Sequence, residues 1–229
     1  MSELSKPEPI PFPVNILFHG IGKPHRALEP GEEQYWISRA QFEAILDEIV
    51  NWPQVRLSFD DSNTSDVDIA MPELLDRDLA AEFYILSGRI GKAGSLGDDD
   101  LHSLVKNGMT VGTHGMTHQP WRRMDPARVR EELVEAREQL ATVIGRPVTA
   151  AACPLGQYDR TTLTALRRLG YTTVLTSDRR PAQPGKWLQP RFSVYRDSTP
   201  ESVRAAVLRS ASPATRVRAA AVGVLKRWR

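Results

Sequence analysis

Two adjacent carboxylates, Asp60 and Asp61, close the apolar run 55–59, and two imidazoles, His114 and His118, stand four residues apart further along the chain. Carboxylate oxygens and imidazole nitrogens are donors that hold divalent metals, so together they suggest a metal site with a base beside it. Each piece also has a plainer explanation. An aspartate after a strand often caps the next helix, and two histidines four apart arise by chance. The constellation therefore carries chemistry only if the surrounding elements bring its members together.

Short β-rich runs alternate with longer stretches of helical period. Segments 14–18, 55–59, 81–86, 109–113, 149–152, 172–175 and 191–195 read as strands. A first helix begins at Ser38 as N-cap and carries Phe42, Ile45, Leu46 and Ile49 on one face. Further helices are expected at 66–75, at 99–106 before Asn107-Gly108, at 126–144 between Pro126 and Gly145, at 159–169, and from Pro200. Strict alternation implies an α/β chain with parallel strands and crossover helices. About seven such units suit a distorted (β/α) TIM-like barrel better than an open sheet. The barrel is assigned to 14–210, after an N-terminal extension 1–13 and before a basic tail 211–229.

Barrel topology turns the polar residues into one site, because the loops at the carboxyl ends of the strands share a face. His19 follows the first strand, Asp60 and Asp61 the second, and His114 the fourth. Segment 153–156 follows the fifth strand and 176–178 the sixth, so all of these residues are expected around one mouth.

Composition narrows the class. A chain of 229 residues with 41% hydrophobic content can bury one substantial core. A formal charge of +2 gives no global reason to expect a nucleic-acid partner. The single cysteine, Cys153, excludes an intrachain disulfide framework and fits a reducing compartment. The start is proline-rich and carries acids where a signal peptide has a basic end and an apolar run, so a cytoplasmic location is expected. Asp98, Asp99 and Asp100 read as a solvated helix start rather than a second metal site. Segment 213–229 carries Arg216, Arg218, Lys226, Arg227 and Arg229 without an acid. Peripheral contact with an anionic membrane at the inner surface is one reading of that tail, and a frayed basic helix is the other.

The residues also resemble a family. Ser58-Phe59-Asp60-Asp61 is similar to the first motif of the polysaccharide deacetylases, the NodB-homology domain of carbohydrate esterase family 4, and Thr113-His114-Gly115-Met116-Thr117-His118 is similar to the second. Ala81-Glu82-Phe83-Tyr84 falls at that family's ATFF strand, and Pro154-Leu155-Gly156 matches the end of its third motif. The resemblance covers about 14–197. It implies a distorted (β/α) barrel in which Asp61, His114 and His118 bind a divalent metal, zinc first, with cobalt, nickel and manganese as alternatives. Asp60 would be the general base that takes a proton from the attacking water, and a backbone N–H near Leu155 would help to hold the oxyanion. Neighbouring residues of a strand point to opposite sides, so a turn at Ser62-Asn63 must bring both aspartates to the mouth.

Two departures from the family pattern shape the remaining assignments. The common general acid is a histidine near the C-terminal end of the domain, yet no histidine follows His118. Some members take the acid from an N-terminal strand ending in Tyr-His. Ile16-Leu17-Phe18-His19-Gly20 resembles that version, so His19 is the candidate acid and His25 its rival. The third motif usually begins with an arginine that holds the base, and Ala152 stands there instead. Arg191 is the candidate replacement, with Asp178 orienting its guanidinium. Cys153 reads as a small buried residue. Trp121 is a candidate sugar-stacking surface, followed by Trp36 and Trp187.

The resulting expectation is a metal-dependent hydrolase that removes an N-acetyl group from a sugar of a glycan or glycan precursor, with a nucleotide- or lipid-linked intermediate favoured over finished cell-wall polymer. Two alternatives stand beside it. One is a catalytically silent barrel that binds a sugar or a partner protein; the other is a metal hydrolase of a small non-sugar amide.

Overall fold

The computed structural model describes residues 10–211. The sheet contains eight strands, all parallel: β1 Val14–Phe18, β2 Val55–Asp60, β3 Ala81–Ile85, β4 Thr110–Thr113, β5 Ala150–Ala152, β6 Thr173–Thr176, β7 Leu188–Pro190 and β8 Phe192–Ser193. Their order is β7-β6-β5-β4-β3-β2-β1-β8. The two outer strands are separated in sequence by Arg191 alone. The last strand, expected over 191–195, forms only as the shorter β8, and β7 just before it was not expected: Pro190 pairs with Thr176 of β6, while Phe192 pairs with Ile16 of β1. One stretch of chain bridges both edges of the sheet and nearly closes the barrel.

Strand periodicity decides what faces inward. Phe18, Phe59 and Phe83 lie in register across β1, β2 and β3. Their rings stack at 5.4 and 4.8 Å, and Phe42 of helix α1, Arg39–Ile49, meets Phe18 edge-on at 5.0 Å. This row belongs to the main core between sheet and helices, where each such ring contributes about 1.5–3 kcal/mol of burial. The alternate residues of β2, Ser58 and Asp60, must point the other way, into the barrel.

The helices start and stop on local chemistry. Ser38 accepts from the Gln41 N–H at 3.1 Å and caps α1. A π turn at Asp66–Ala70 runs into α2, Met71–Leu75, and α3 spans Asp98–Lys106. The long helix expected over 126–144 forms, but as α4 Pro126–Arg130, a π turn Glu131–Glu135, and α5 Ala136–Ile144, ending in left-handed Gly145. Helices α6, Arg160–Arg168, and α7, Pro200–Ser210, complete the set and are capped by Asp159 and Thr199. Asp100 caps its own helix by accepting from the Gly97 N–H at 2.8 Å, as a solvated helix start requires. Ile10, inside the N-terminal extension, is buried in the main core. No helix among the described residues is long and apolar enough to cross a membrane. The basic segment 213–229 lies outside the described residues.

Candidate active site and metal centre

At the end of β2 the backbone turns left-handed, with φ 77° at Asp61 and 61° at Ser62. Non-glycine residues seldom adopt this region, and here it swings Asp61 toward the side that Asp60 already faces. Ser62 anchors the turn: its Oγ accepts from the Leu86 N–H at 2.8 Å, and its carbonyl accepts from the Leu96 N–H at 2.9 Å. Asp60 and Asp61 are both buried, at 2% exposure.

His114 and His118 reach the same point from the loop after β4. Their Nε2 atoms lie 3.5 and 3.2 Å from Asp61 Oδ1. Each ring is fixed through its other nitrogen. His114 Nδ1 donates to the Ala152 carbonyl at 2.9 Å, and His118 Nδ1 donates to Glu29 Oε2 at 2.6 Å. Because those partners only accept, each Nδ1 carries a proton, which leaves Nε2 as the ring atom turned toward the carboxylate. Asp61 Oδ1 is buried without a hydrogen-bond partner among the described residues. These three ligand atoms, within 4.8 Å of one another, could hold a divalent cation.

The arc between the two histidines hangs from one carboxylate. Glu132, in the π turn and fully buried, accepts from the Met116 N–H at 2.9 Å, the Thr117 N–H at 3.1 Å, the Trp121 Nε1–H at 3.2 Å and the Thr117 hydroxyl. Gly115 is needed beside it: φ is 87°, and a Cβ there would come within 2.3 Å of Glu132 Oε2.

Arg191 supplies the other contact to the aspartates. From its junction between β7 and β8 it enters the barrel and donates to both oxygens of Asp60, each at 2.7 Å, and to Ser58 Oγ at 3.2 Å. Burial opposes ionisation of Asp60, but Arg191 and then His114 outweigh it and hold the carboxyl below its usual range. Asp61 is held down to about 2, where burial is again outweighed, here by His118, His19 and His114.

His19 follows β1 and lines the same cavity, of about 290 Å³, as Asp60, Asp61, His114 and His118. Its ring lies 4.6 Å from Tyr35, and its Nδ1 is buried without a hydrogen-bond partner among the described residues. Burial lowers its pKa, although the charges of Asp61 and Asp60 pull the other way. His25 is exposed and lies outside this cavity. Leu155 lines the rim, 55% exposed and left-handed at φ 55°. Cys153 is buried and contributes to the wall.

Other placements differ from those the sequence suggests. Asp178 accepts from Tyr158 Oη at 2.8 Å, Thr176 Oγ1 at 2.9 Å and Arg180 at 3.4 Å, whereas Arg191 is oriented by the Thr176 carbonyl, Ser58 and Asp60. Asp178 and the guanidinium of Arg191 thus share Thr176 as a neighbour, through its hydroxyl and its carbonyl respectively. Trp121 is wholly buried in a second core cluster with its N–H on Glu132, so it presents no face to a sugar. Trp36 is buried against Gly20, and Trp187 donates to the Tyr171 carbonyl while Arg167 covers its ring. The aromatics that do line the cavity are Tyr35 and Tyr195, whose rings meet at 5.0 Å with a tilt of 33°. Sequence reasoning missed both, together with Glu29 and Glu132. The Tyr residues flank loops without motif spacing, and a carboxylate that serves a ligand from a distance leaves no local pattern.

With this geometry in hand, the family model described as polysaccharide deacetylase matches residues 49–174, more than half of the 229. The chain belongs to the polysaccharide deacetylase family. This family member is similar in fold to the Streptococcus pyogenes deacetylase PplD, solved in complex with acetate, with a TM-score of 0.73 at 21% identity over 90% of this chain and 100% of that one. IcaB from Ammonifex degensii gives a TM-score of 0.68 at 22% identity, covering 85% and 96%. Among curated sequences, YxkH of Bacillus subtilis, named as a candidate polysaccharide deacetylase, is 22% identical over 124 residues. Those residues are 54% of this family member and 44% of YxkH, so the match spans less than half of the relative's length.

Proposed function

We propose that the chain is a metal-dependent N-deacetylase acting on an N-acetylated sugar of a glycan or glycan precursor. The observation that carries this reading is the convergence of Asp61, His114 and His118 on one point beside an Asp60 kept ionised by Arg191. Zinc is the ion this donor set favours, and such a metal supplies Lewis acidity toward the amide carbonyl and lowers the pKa of water.

The protein's own groups divide the rest of the work. Asp60 stays ionised because its guanidinium partner opposes protonation, so its carboxylate is ready to take the proton of the attacking water. Leu155 presents its backbone at the rim, where an N–H can stabilise negative charge on the amide oxygen. His19 Nδ1, without another partner among the described residues, is the atom assigned to protonate the leaving amine. The tilted pair Tyr35 and Tyr195 forms the aromatic wall on which a pyranose can rest.

Acetate release from N-acetylglucosamine oligomers and from small acyl amides, with metal content measured on gently purified protein, tests the reading. Metal-dependent acetate release from the sugars supports it. Stoichiometric metal with turnover of small amides only favours the non-sugar hydrolase, and absence of both metal and turnover favours a silent barrel.

A further inference from the structure

The catalytic cavity does not end at its aromatic wall. Gln34, Ser193 and Tyr195 line both it and a second cavity of about 680 Å³, which extends between the loop after β8 and helix α7. Arg179, Arg196 and Arg209 line this second cavity, and none of them forms an ion pair with a described residue. Glu33 and Asp197 line it too, so three guanidiniums against two carboxylates leave an excess of positive charge.

Arg179 is the best placed of the three. Its backbone is left-handed at φ 51°, and its N–H donates to the carbonyl of Arg191 at 3.0 Å, which ties it to the residue that holds Asp60. Its guanidinium lies 5.1 Å over the ring of Tyr195. A continuous path follows: His19 to Tyr35 at 4.6 Å, Tyr35 to Tyr195 at 5.0 Å, then Arg179. An aromatic face positions a guanidinium without neutralising it, so its hydrogen-bonding fork stays available for a ligand.

We infer that the second cavity binds an anionic group, phosphate or carboxylate, attached next to the N-acetylated sugar, and that Arg179 is its principal contact. The inference rests on the deacetylase reading and adds the substrate's charge to it. The first cavity has room for about one sugar unit, and the adjoining guanidiniums fit the planar or tetrahedral oxygens of an acid on the next unit.

Four substrates test this: neutral N-acetylglucosamine and its 1-phosphate, and a neutral N-acetylglucosamine disaccharide and an N-acetylglucosamine unit linked to a hexuronate, each anion compared with the neutral sugar of its own size. At low salt the anionic substrates are expected to show kcat/KM about tenfold above their neutral counterparts, and Arg179→Gln to remove most of that gain through KM. Melting temperatures check that the variant folds, and Arg209→Gln, further along the groove, gives a smaller loss in the same direction. Preference for phosphate over hexuronate, or the reverse, identifies the source of the charge. Equal turnover of neutral and anionic substrates, or an unchanged preference in Arg179→Gln, overturns the inference and leaves the deacetylase reading standing. If no substrate releases acetate, the deacetylase reading fails, and calorimetric titration with N-acetylglucosamine 1-phosphate still decides the groove. Binding weakened about tenfold by Arg179→Gln supports it, and no binding overturns it.

Discussion

Arg191 and Asp60 face each other as a two-pronged pair sealed from solvent, with the guanidinium donating at 2.7 Å to each carboxylate oxygen and neither residue more than 2% exposed. The pair spans 131 positions of sequence, from the junction that closes the barrel to the end of the second strand. It fixes where the Asp60 carboxylate points and also holds its charge.

Replacing Arg191 by Gln removes the cation that outweighs the burial of Asp60. Asp60's folded pKa is depressed, so its stabilising contribution is present above its unfolded pKa and lost as pH falls through the folded value. Without the guanidinium burial dominates, the base protonates at higher pH, and the acid limb of the rate profile moves up. Turnover near neutrality is expected to fall about 10²-fold. Breaking a buried pair also costs about 3–5 kcal/mol of stability. Arg191→Lys keeps the charge without the fork and should fall between wild type and Gln in both respects. An acid limb at the same pH in all three proteins would contradict the assignment.

His19→Gln separates proton transfer from metal binding. His19 is not among the three converging donors, so metal content should be unchanged while turnover falls about 10²- to 10⁴-fold. Its unpartnered Nδ1 makes this the informative substitution. Full activity in the variant would remove His19 from the reaction. His25→Gln is the matched control, since its parent side chain is exposed away from the cavity.

The strands and the first two motifs were legible because their signals are local. A run such as 55–59 alternates between faces, and one aspartate after it must point inward whatever the tertiary context. Asp61, His114 and His118 needed only their strand ends to be correct. Arg191 was reachable because the family resemblance implies an arginine at the start of the third motif and Ala152 stands there, so a cation had to come from elsewhere. Ala152 packs with Tyr84 and Leu175, and the guanidinium of Arg191 lies over the Tyr84 ring at 5.4 Å. β7 and the break at Arg191 were not legible, because two- and three-residue strands carry too few side chains to show a period. Trp121 misled for a related reason. Closeness in sequence to His118 says nothing about which way a ring turns once Glu132 claims its N–H.

Asp66 predicts a different dependence on pH. It is buried with both carboxylate oxygens unpartnered among the described residues, and burial, followed by the charges of Asp61 and Asp60, raises its pKa well above the ordinary value. A carboxyl with a raised folded pKa contributes stability that is full below the unfolded value of about 3.9 and lost as pH rises through the folded one. Asp66→Asn keeps the shape and never ionises. Urea unfolding should therefore show the variant gaining on the wild type as pH rises above the unfolded value. The gain is about 1.4 kcal/mol per pH step of one between the unfolded and folded pKa values, and it levels off above the folded value. A stability gap independent of pH would mean that Asp66 has a partner supplied by solvent.

Glu132 gives the sharpest separation between holding the metal site and holding the fold. One carboxylate collects the backbone N–H groups of Met116 and Thr117, the Thr117 hydroxyl and the Trp121 indole, and so sets the arc that aims His114 and His118. Truncating it by Glu132→Ala leaves these donors unsatisfied in a buried place and frees the arc, and outer-shell losses of this kind lower metal affinity about 10- to 100-fold. Glu132→Gln can accept through one oxygen only and should lose less. Zinc affinity measured by competition with a chromophoric chelator reads this directly, without turnover. The control is Leu104→Ala in the main core, where a cavity costs about 2–5 kcal/mol but no ligand is supported. If Leu104→Ala loses as much zinc affinity as Glu132→Ala at matched stability, the carboxylate holds only the fold; if zinc affinity falls in the Glu132 variants alone, it holds the ligands.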